Sequence, residues 1–173
     1  MVDLRTNYLG LSLKNPLIPS SGPETGHLDR IRCLEDAGAA AIVLPSIFEE
    51  ELIHEQEQMT RFLDHQDIGH HEADSFLPLP EQYTSHLDKT LELVSQCKQS
   101  IDIPVIGSVN GVSPSGWIEC ALDLERAGCD AIELNLYSIE ADASKTAIDV
   151  ENNFLQVVKS LSSEVSVPVT VKL

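Results

Sequence analysis

Short apolar runs alternate with amphipathic, helix-like stretches along most of this 173-residue chain. The apolar runs predict five strands, at residues 16–18, 39–44, 103–109, 131–136 and 167–172. The stretches between them predict helices at residues 27–37, 81–100, 117–127 and 147–161. Strands and helices in alternation are typical of βα units around a parallel sheet, so we expect an α/β fold.

Two segments depart from this rhythm. Residues 3–15 alternate between apolar and polar positions around Gly10, which predicts a small β-hairpin before the first βα unit. Residues 48–80 are acidic and partly irregular, and a connection of this length is typical of a functional lid. We interpret residues 1–173 as a single domain that carries this lid-like insertion.

Two closures of the predicted sheet fit the pattern: an open doubly wound sheet, or part of a (β/α)8 TIM barrel. No GxGxxG or GxxxxGK[ST] motif follows a predicted strand, which removes the usual nucleotide-binding reasons for an open sheet. A TIM barrel has eight strands, so the five predicted strands correspond to its amino-terminal part. Such a part leaves two sheet edges unpaired. We therefore expect either a longer parent protein, or a chain that forms a homodimer or folds poorly.

The chain is strongly acidic, with 28 acidic against 11 basic residues and a net charge of −17. Such a surface repels phosphate backbones and anionic lipids, so we predict neither a nucleic-acid nor a membrane partner. A phosphate-bearing ligand would need locally placed amides or cations. The first residues contain no apolar signal segment, and no apolar run approaches the ~18 residues of a membrane span, which favours a cytoplasmic protein.

The four cysteines, Cys33, Cys97, Cys120 and Cys129, show no CxxC spacing. Three fall in predicted helices and one at a strand entrance, where a cysteine fills space as a small apolar residue. We therefore predict reduced, structural thiols and no zinc site.

Polar side chains stand at the carboxyl end of each predicted strand, where the chemistry of βα-repeat enzymes is assembled. They are Ser20 and Ser21, Ser46, Ser108 and Asn110, Asn135 and Ser138, and Lys172. Each one alone is typical of a turn residue that satisfies backbone groups. Together they offer hydrogen-bond donors, one cation and no cluster of carboxylates. That set suits a polar planar ligand and does not suit hydrolysis by paired carboxylates.

Histidines and carboxylates cluster in the acidic insertion, in the sequence HQDIGHHEAD at residues 65–74. A helical zinc site would show a spacing such as HExxH, which this segment lacks. We predict no metal here and interpret the segment as a lid that is either solvated or turned towards a substrate.

Several stretches of the chain resemble the dihydroorotate dehydrogenase family, the FMN-dependent barrels of pyrimidine synthesis. In order, these are LGLSLKNPLIPSSG, AGAAAIVLPS, IPVIGSVNG, AGCDAIELNLYS and VPVTVKL. They cover most of residues 1–173 and correspond to the amino-terminal half of the family. ELNL followed by VKL is the most specific pair, because AGxxAI alone fits many barrels.

The resemblance implies a cofactor, a reaction and a role for each matched residue. The cofactor is FMN, and the reaction is the oxidation of dihydroorotate, a small molecule, to orotate with hydride passing to the flavin. Ser138 matches the catalytic base, and Asn135 matches an asparagine that touches flavin and substrate. The other flavin-side matches are Ser20, Ser21, Gly22, Ser46, Ser108 and Lys172, the last against the pyrimidine edge of the flavin.

The chain departs from the family pattern at three places. Pro45 stands where the family has a lysine, and Ile139 and Glu140 stand where it has a proline and an asparagine. The family's loop N-S-M-G-x-x-N is replaced by residues 74–78, DSFLP. Two alternatives therefore stay open: a related flavin barrel with another substrate, and a truncated, non-catalytic remnant or subunit. Because barrel phosphate sites usually follow strands seven and eight, we expect this chain alone to be inactive and to hold FMN weakly or not at all.

Overall fold

The structure is a computed structural model that describes residues 2–66, 84–111, 116–137 and 139–173. The strands in these residues are β1 (Thr6–Tyr8), β2 (Leu11–Leu13), β3 (Ile42–Phe48), β4 (Val105–Asn110), β5 (Ala131–Asn135) and β6 (Val169–Lys172). The α-helices are α1 (Leu28–Asp36), α2 (Glu49–Gln66), α3 (His86–Ser100), α4 (Gly116–Ala127) and α5 (Ala147–Glu164). A short 3-10 helix, Pro23–Thr25, precedes α1.

Strands β3, β4, β5 and β6 form one parallel sheet, and their spatial order is their order along the chain. An open doubly wound sheet reverses its strand order at a switch point, and these four strands do not. The predicted α/β class with a parallel sheet is therefore confirmed, and the progressive order fits consecutive βα units.

The predicted hairpin is present as the antiparallel pair of β1 and β2. Leu9 and Gly10 join the strands with positive φ values of 55° and 75°. Two successive residues in this region form the tight turn that matches the twist of a hairpin, and glycine adopts it at little cost. Leu13 of β2 is buried and packs beneath the main sheet.

The prediction of a first strand at residues 16–18 is wrong. These residues form an extended segment beside β3, in which the carbonyls of Leu17 and Pro19 accept from the amides of Ala40 (2.9 Å) and Val43 (3.0 Å). Pro16 and Pro19 have no N–H, so the segment has too few donors for a regular ladder.

Strand β3 continues past its predicted end at residue 44 and runs through Pro45 to Phe48. The pairing of β3 with β4 is irregular between Val43 and Ser46, at the proline. An edge strand tolerates a proline there because the lost amide need not pair. Ser46 consequently lies inside the strand, directly opposite Ser108.

Two helices also differ from the prediction at their ends. Helix α3 begins at His86 and not at residue 81, because Ser85 and Asp88 form a capping box that marks the amino terminus of the helix. Helix α5 extends to Glu164, three residues beyond its predicted end at 161. The predicted insertion begins with α2, and its continuation through residues 67–80 lies outside the described residues.

The two faces of the main sheet have different characters. Alternate residues such as Val105, Val109, Ile132 and Leu134 face helices α1, α3, α4 and α5 in the main apolar core. The opposite face begins with a small apolar cluster at the amino ends of the strands, formed by Val43, Ile106 and Ala131 with Leu13. Towards the carboxyl ends this second face becomes polar, and the predicted site residues lie there.

Candidate active site

The pleat and register of the sheet bring polar residues from all four strands to one face. In β5, Ala131, Glu133 and Asn135 alternate onto this face. Glu133 lies opposite Ser108 of β4, and Asn135 lies opposite Lys172 of β6. We call Ser21, Ser46, Ser108, Glu133, Asn135 and Lys172 the polar row.

Hydrogen bonds connect five members of the polar row, one to the next across the sheet. The hydroxyl oxygens of Ser21 and Ser46 lie 3.1 Å apart, and those of Ser46 and Ser108 lie 2.7 Å apart. The Ser108 hydroxyl donates to Glu133 Oε1 at 3.3 Å. Asn135 Nδ2 donates to Ser108 Oγ at 2.9 Å and to Ser46 Oγ at 3.2 Å. Polar residues that are far apart in sequence thus form one connected group.

The hydroxyl protons of Ser46 and Ser108 are both used by these contacts. A hydroxyl provides one donor and two acceptor positions. Ser108 donates to Glu133 and accepts from Asn135, so its remaining position receives the proton of Ser46. Ser46 then accepts from Ser21, and its second acceptor position faces Asn135 Nδ2, whose two protons are shared among Ser46, Ser108 and Val109. Both serines therefore use their hydroxyl protons within the row, and neither has a proton left to donate to a ligand.

Asn135 is buried, and its amide orientation is fixed by the backbone. Its Nδ2 donates to the carbonyl oxygen of Val109 at 3.3 Å, and a carbonyl can only accept. The nitrogen therefore faces the sheet, and Oδ1 makes no hydrogen bond with a described residue. Asn135 can offer that oxygen to a ligand as an acceptor.

Lys172 and Glu133 form a long ion pair at the β6 side of the row. Their Nζ and Oε1 atoms are 3.8 Å apart, and the side chains are 57% and 13% exposed, respectively. The lysine head therefore reaches solvent while the carboxylate is enclosed. Sequence reasoning missed Glu133 because it searched strand ends; the available signal was an acid within an otherwise apolar strand, AIELN.

Ser20 and Gly22 flank the row without joining its hydrogen bonds. Ser20 is exposed and makes no side-chain hydrogen bond with a described residue. The Gly22 carbonyl accepts from the amide and the hydroxyl of Thr25, at 3.1 and 3.0 Å, which closes the short 3-10 turn. The turn therefore places Ser21 against Ser46, and flavin contacts by Ser20 and Gly22 stay predictions.

Ser138, the predicted base, lies outside the described residues. Beyond it, Lys145 Nζ donates to Glu140 Oε2 at 2.6 Å, and this hydrogen bond lowers the pKa of the Glu140 carboxyl. Asp142 accepts from the Ser144 hydroxyl at 2.6 Å. This part of the loop therefore holds charged, hydrogen-bonded side chains where the family pattern has a proline and an asparagine.

The histidine cluster lies mostly outside the described residues, which include neither residues 67–74 nor the side chain of His65. His54 in α2 lies 2.7 Å from Gln58 through its Nε2. Within the described part of the chain, no three histidine, cysteine or carboxylate residues are grouped closely enough to hold a metal ion. No helix of the described residues is both long and apolar enough to cross a membrane.

The four cysteines divide into three buried thiols and one exposed thiol. Burial raises the pKa of Cys97 to about 11 and the pKa values of Cys120 and Cys129 to about 12. The prediction of core-filling residues is therefore confirmed for these three and wrong for Cys33, which lies on the outer side of α1.

We expect a thiol reagent such as iodoacetamide to modify only Cys33 in the folded chain at neutral pH, because the thiolate is the reactive form. Peptide mass spectrometry after brief labelling measures this, and labelling in denaturant should reach all four cysteines. The Cys33→Ser variant should remain unlabelled until it unfolds. Rapid native labelling of Cys120 or Cys129 would contradict the burial that the structure shows.

No protein-family model matches the chain. Curated relatives do, and several of them carry the description dihydroorotate dehydrogenase B (NAD(+)), catalytic subunit. The protein of Thermoplasma acidophilum is 29% identical over 100% of this chain and 55% of its own length. The proteins of Methanosarcina acetivorans and Methanosarcina mazei are 33% and 34% identical, over 96% and 95% of this chain and 51% and 50% of their own lengths.

The chain thus spans about half the length of the curated relatives it matches. The similarity nevertheless runs through nearly all of this chain, from the hairpin to the strand that carries Lys172. It includes the strands on which the polar row is built. The chain is therefore a divergent member of the dihydroorotate dehydrogenase family.

Proposed function

We propose that this chain forms the amino-terminal part of a TIM-barrel oxidoreductase that uses FMN to oxidise dihydroorotate to orotate. The observation that carries the proposal is the polar row, in which four consecutive parallel strands contribute to one hydrogen-bonded group near their carboxyl ends. In a barrel this end is the active-site face. The curated relatives are named as catalytic subunits for this reaction, which supports the same conclusion.

The cation and the hydrogen-bonding groups of the polar row fit the pyrimidine edge of a flavin. That edge presents ring acceptors beside one N–H donor. Lys172 supplies a solvent-reaching cation for the acceptors, and Asn135 supplies for the N–H an Oδ1 that bonds to none of the described residues. When bound, FMN accepts the hydride equivalent, and a nearby cation would stabilise the negative charge of its reduced ring. Ser21 holds one further acceptor position in the row.

Ser138 is the proposed base that removes a carbon-bound proton from the substrate. Its support is the match of the loop after β5 to the family's base position, together with its place next to the strand that carries Asn135. A serine hydroxyl is a weak base, so this role requires a site closed to water or a route by which the proton can leave.

A second candidate is a related flavin barrel that oxidises a different ring or carbonyl compound. Two observations favour it. Pro45 lies within β3 and offers no cation where the family has a lysine. Glu140 is charged and paired with Lys145, where the family's asparagine would hold the substrate ring. Both proposals share the flavin, so a flavin-binding experiment tests them together and a substrate screen separates them.

Titration of the chain into FMN should quench the flavin fluorescence weakly and saturably. Riboflavin should bind with the same affinity, because we expect the phosphate contacts to lie beyond this part of the barrel. The Lys172→Ala variant should bind about tenfold more weakly, since it loses one charge-assisted contact. Fluorescence titration and equilibrium dialysis measure all three affinities.

The matched control is Lys159→Ala, which removes an exposed lysine on α5 away from the polar row. It should bind FMN like the wild-type chain. Equal losses in the two lysine variants would show that the effect is only one of overall charge. If no flavin binds saturably, the polar row of this chain does not by itself form a flavin site.

A further inference from the structure

Glu133 is the acidic member of the polar row, and the proposed function does not yet use it. It lies in the middle of β5, between Ile132 and Leu134, which are both fully buried. Its side chain is 13% exposed and reaches two row members, Ser108 at 3.3 Å and Lys172 at 3.8 Å. A nearly enclosed carboxylate beside a proposed anionic ligand is unfavourable unless neighbouring groups compensate for its charge.

The first consequence of Glu133 is a direction for the hydrogen bonds of the row. Because Ser108 gives its proton to Glu133, the 2.7 Å contact between Ser46 and Ser108 must use the proton of Ser46. Ser46 then has no proton left, so Ser21 donates to Ser46. The three hydroxyl protons all point towards the carboxylate.

The second consequence concerns charge. Lys172 and Glu133 carry opposite charges 3.8 Å apart, so the pair is close to neutral when seen from a ligand. Among the described residues, no other lysine or arginine contacts the row. The strength with which the site favours an anion therefore depends on how far Glu133 offsets Lys172.

We propose that Glu133 is a positioning residue of this site, which orients the serine hydroxyls and reduces the effective charge of Lys172. The inference rests on the proposed flavin function. It implies that the protein holds the flavin without stabilising the reduced form as strongly as an unpaired lysine would.

The test compares the affinity of the chain for oxidised and for reduced FMN. In Glu133→Gln the carboxylate charge is lost while the size and one acceptor remain, so Lys172 acts without its counter-charge. We expect the preference for reduced over oxidised flavin to rise about tenfold, which equals a shift of about 30 mV towards positive potential for a two-electron couple. Anaerobic titrations with both flavin states measure this ratio.

Two further variants separate charge from packing. Glu133→Asp keeps the charge but shortens the side chain, and it should retain a ratio near that of the wild type. Glu92→Gln removes a charge on the exposed side of α3, and it should leave the ratio unchanged. A purely structural role predicts the reverse order, with the shortened Glu133→Asp more disturbed than the isosteric Glu133→Gln.

A measurement without ligand tests the orientation directly. Glutamine can donate as well as accept, so in Glu133→Gln the hydrogen bonds of the row are no longer held in one direction. The side-chain amide signals of Asn135 should therefore shift in NMR spectra. Glu92→Gln should not. Unmoved Asn135 signals, or an unchanged flavin ratio with flavin bound, would overturn the inference. If the wild-type chain binds no flavin, the polar row does not by itself form a flavin site, and the NMR comparison still decides whether Glu133 orients the row.

Discussion

Replacing Ser138 with alanine in an active, flavin-loaded form of the protein is expected to slow flavin reduction by the substrate about 10²–10⁴-fold, the range typical of a lost general base. FMN should stay bound with unchanged affinity, because the proposed flavin contacts come from Asn135 and Lys172. Anaerobic stopped-flow measurement of the flavin absorbance near ~450 nm follows the reduction step alone.

Ser144→Ala is the matched control for this experiment, because Ser144 lies in the same loop and its hydroxyl bonds only to Asp142 among the described residues. It should reduce the flavin at the wild-type rate. Unchanged reduction kinetics in Ser138→Ala would rule out Ser138 as the base.

A third variant, Ser138→Cys, tests the chemistry of the same position. The ordinary pKa of a thiol is about 8.5, far below that of a serine hydroxyl. Reduction should therefore persist and rise with pH through the thiol range. A variant whose rate has no such pH dependence would show that the group at this position takes no proton.

The alternation of apolar and polar residues was sufficient to predict the βα units, because each strand is buried on its helix side and each helix ends at a recognisable signal. Gly38 and Gly128 illustrate this: both adopt positive φ, of 107° and 111°, after a helix and before a strand. Only a glycine adopts this conformation readily, so the junctions could be read directly from the sequence.

The errors arose where a residue has two physical readings. Pro45 predicts the end of a strand, but an edge strand accepts a proline and continues. Pro16 suits the first residue of a strand and Pro19 its end, but together they remove the donors that a ladder needs. Local sequence does not state which strand is at an edge, because that depends on pairing with distant residues.

The candidate site was predicted only in part, because its contacts also depend on residues that are distant in sequence. Serines 46 and 108 and Asn135 were expected to converge, and the structure brings them together. The use of both serine protons within the row could not be foreseen, since it follows from the distances between atoms of three neighbouring strands. Glu133 was overlooked because an acid in the middle of an apolar strand is explained only by its neighbours, here Ser108 and Lys172.

Asn135→Asp tests how strongly the polar row stabilises the fold, and we expect it to lower the free energy of unfolding by about 3 kcal/mol at neutral pH. The substitution is nearly isosteric, but it replaces a buried donor by an acceptor. That acceptor would face the oxygens of Ser46, Ser108 and Val109. The new charge would also lie on the same face as Glu133, two residues away on β5.

Urea denaturation of wild type and variant measures the difference through the transition midpoints. Asn152→Asp is the control, because Asn152 is exposed and lies in the amino-terminal half of α5, where an acidic residue is tolerated. Equal midpoints for wild type and Asn135→Asp would show that the row contributes little to stability.

The pH dependence of Asn135→Asp gives the sign of the effect. Burial among acceptors raises the pKa of the introduced carboxyl in the folded state above its value in the unfolded chain, so the folded state binds the extra proton more tightly. The loss of stability relative to wild type should be complete above the raised pKa and should shrink as the pH falls towards about 4, the ordinary value of an aspartate. A protonated carboxyl can again donate one hydrogen bond to the row, whereas a loss that stayed constant with pH would place its cause in packing and not in the missing donor.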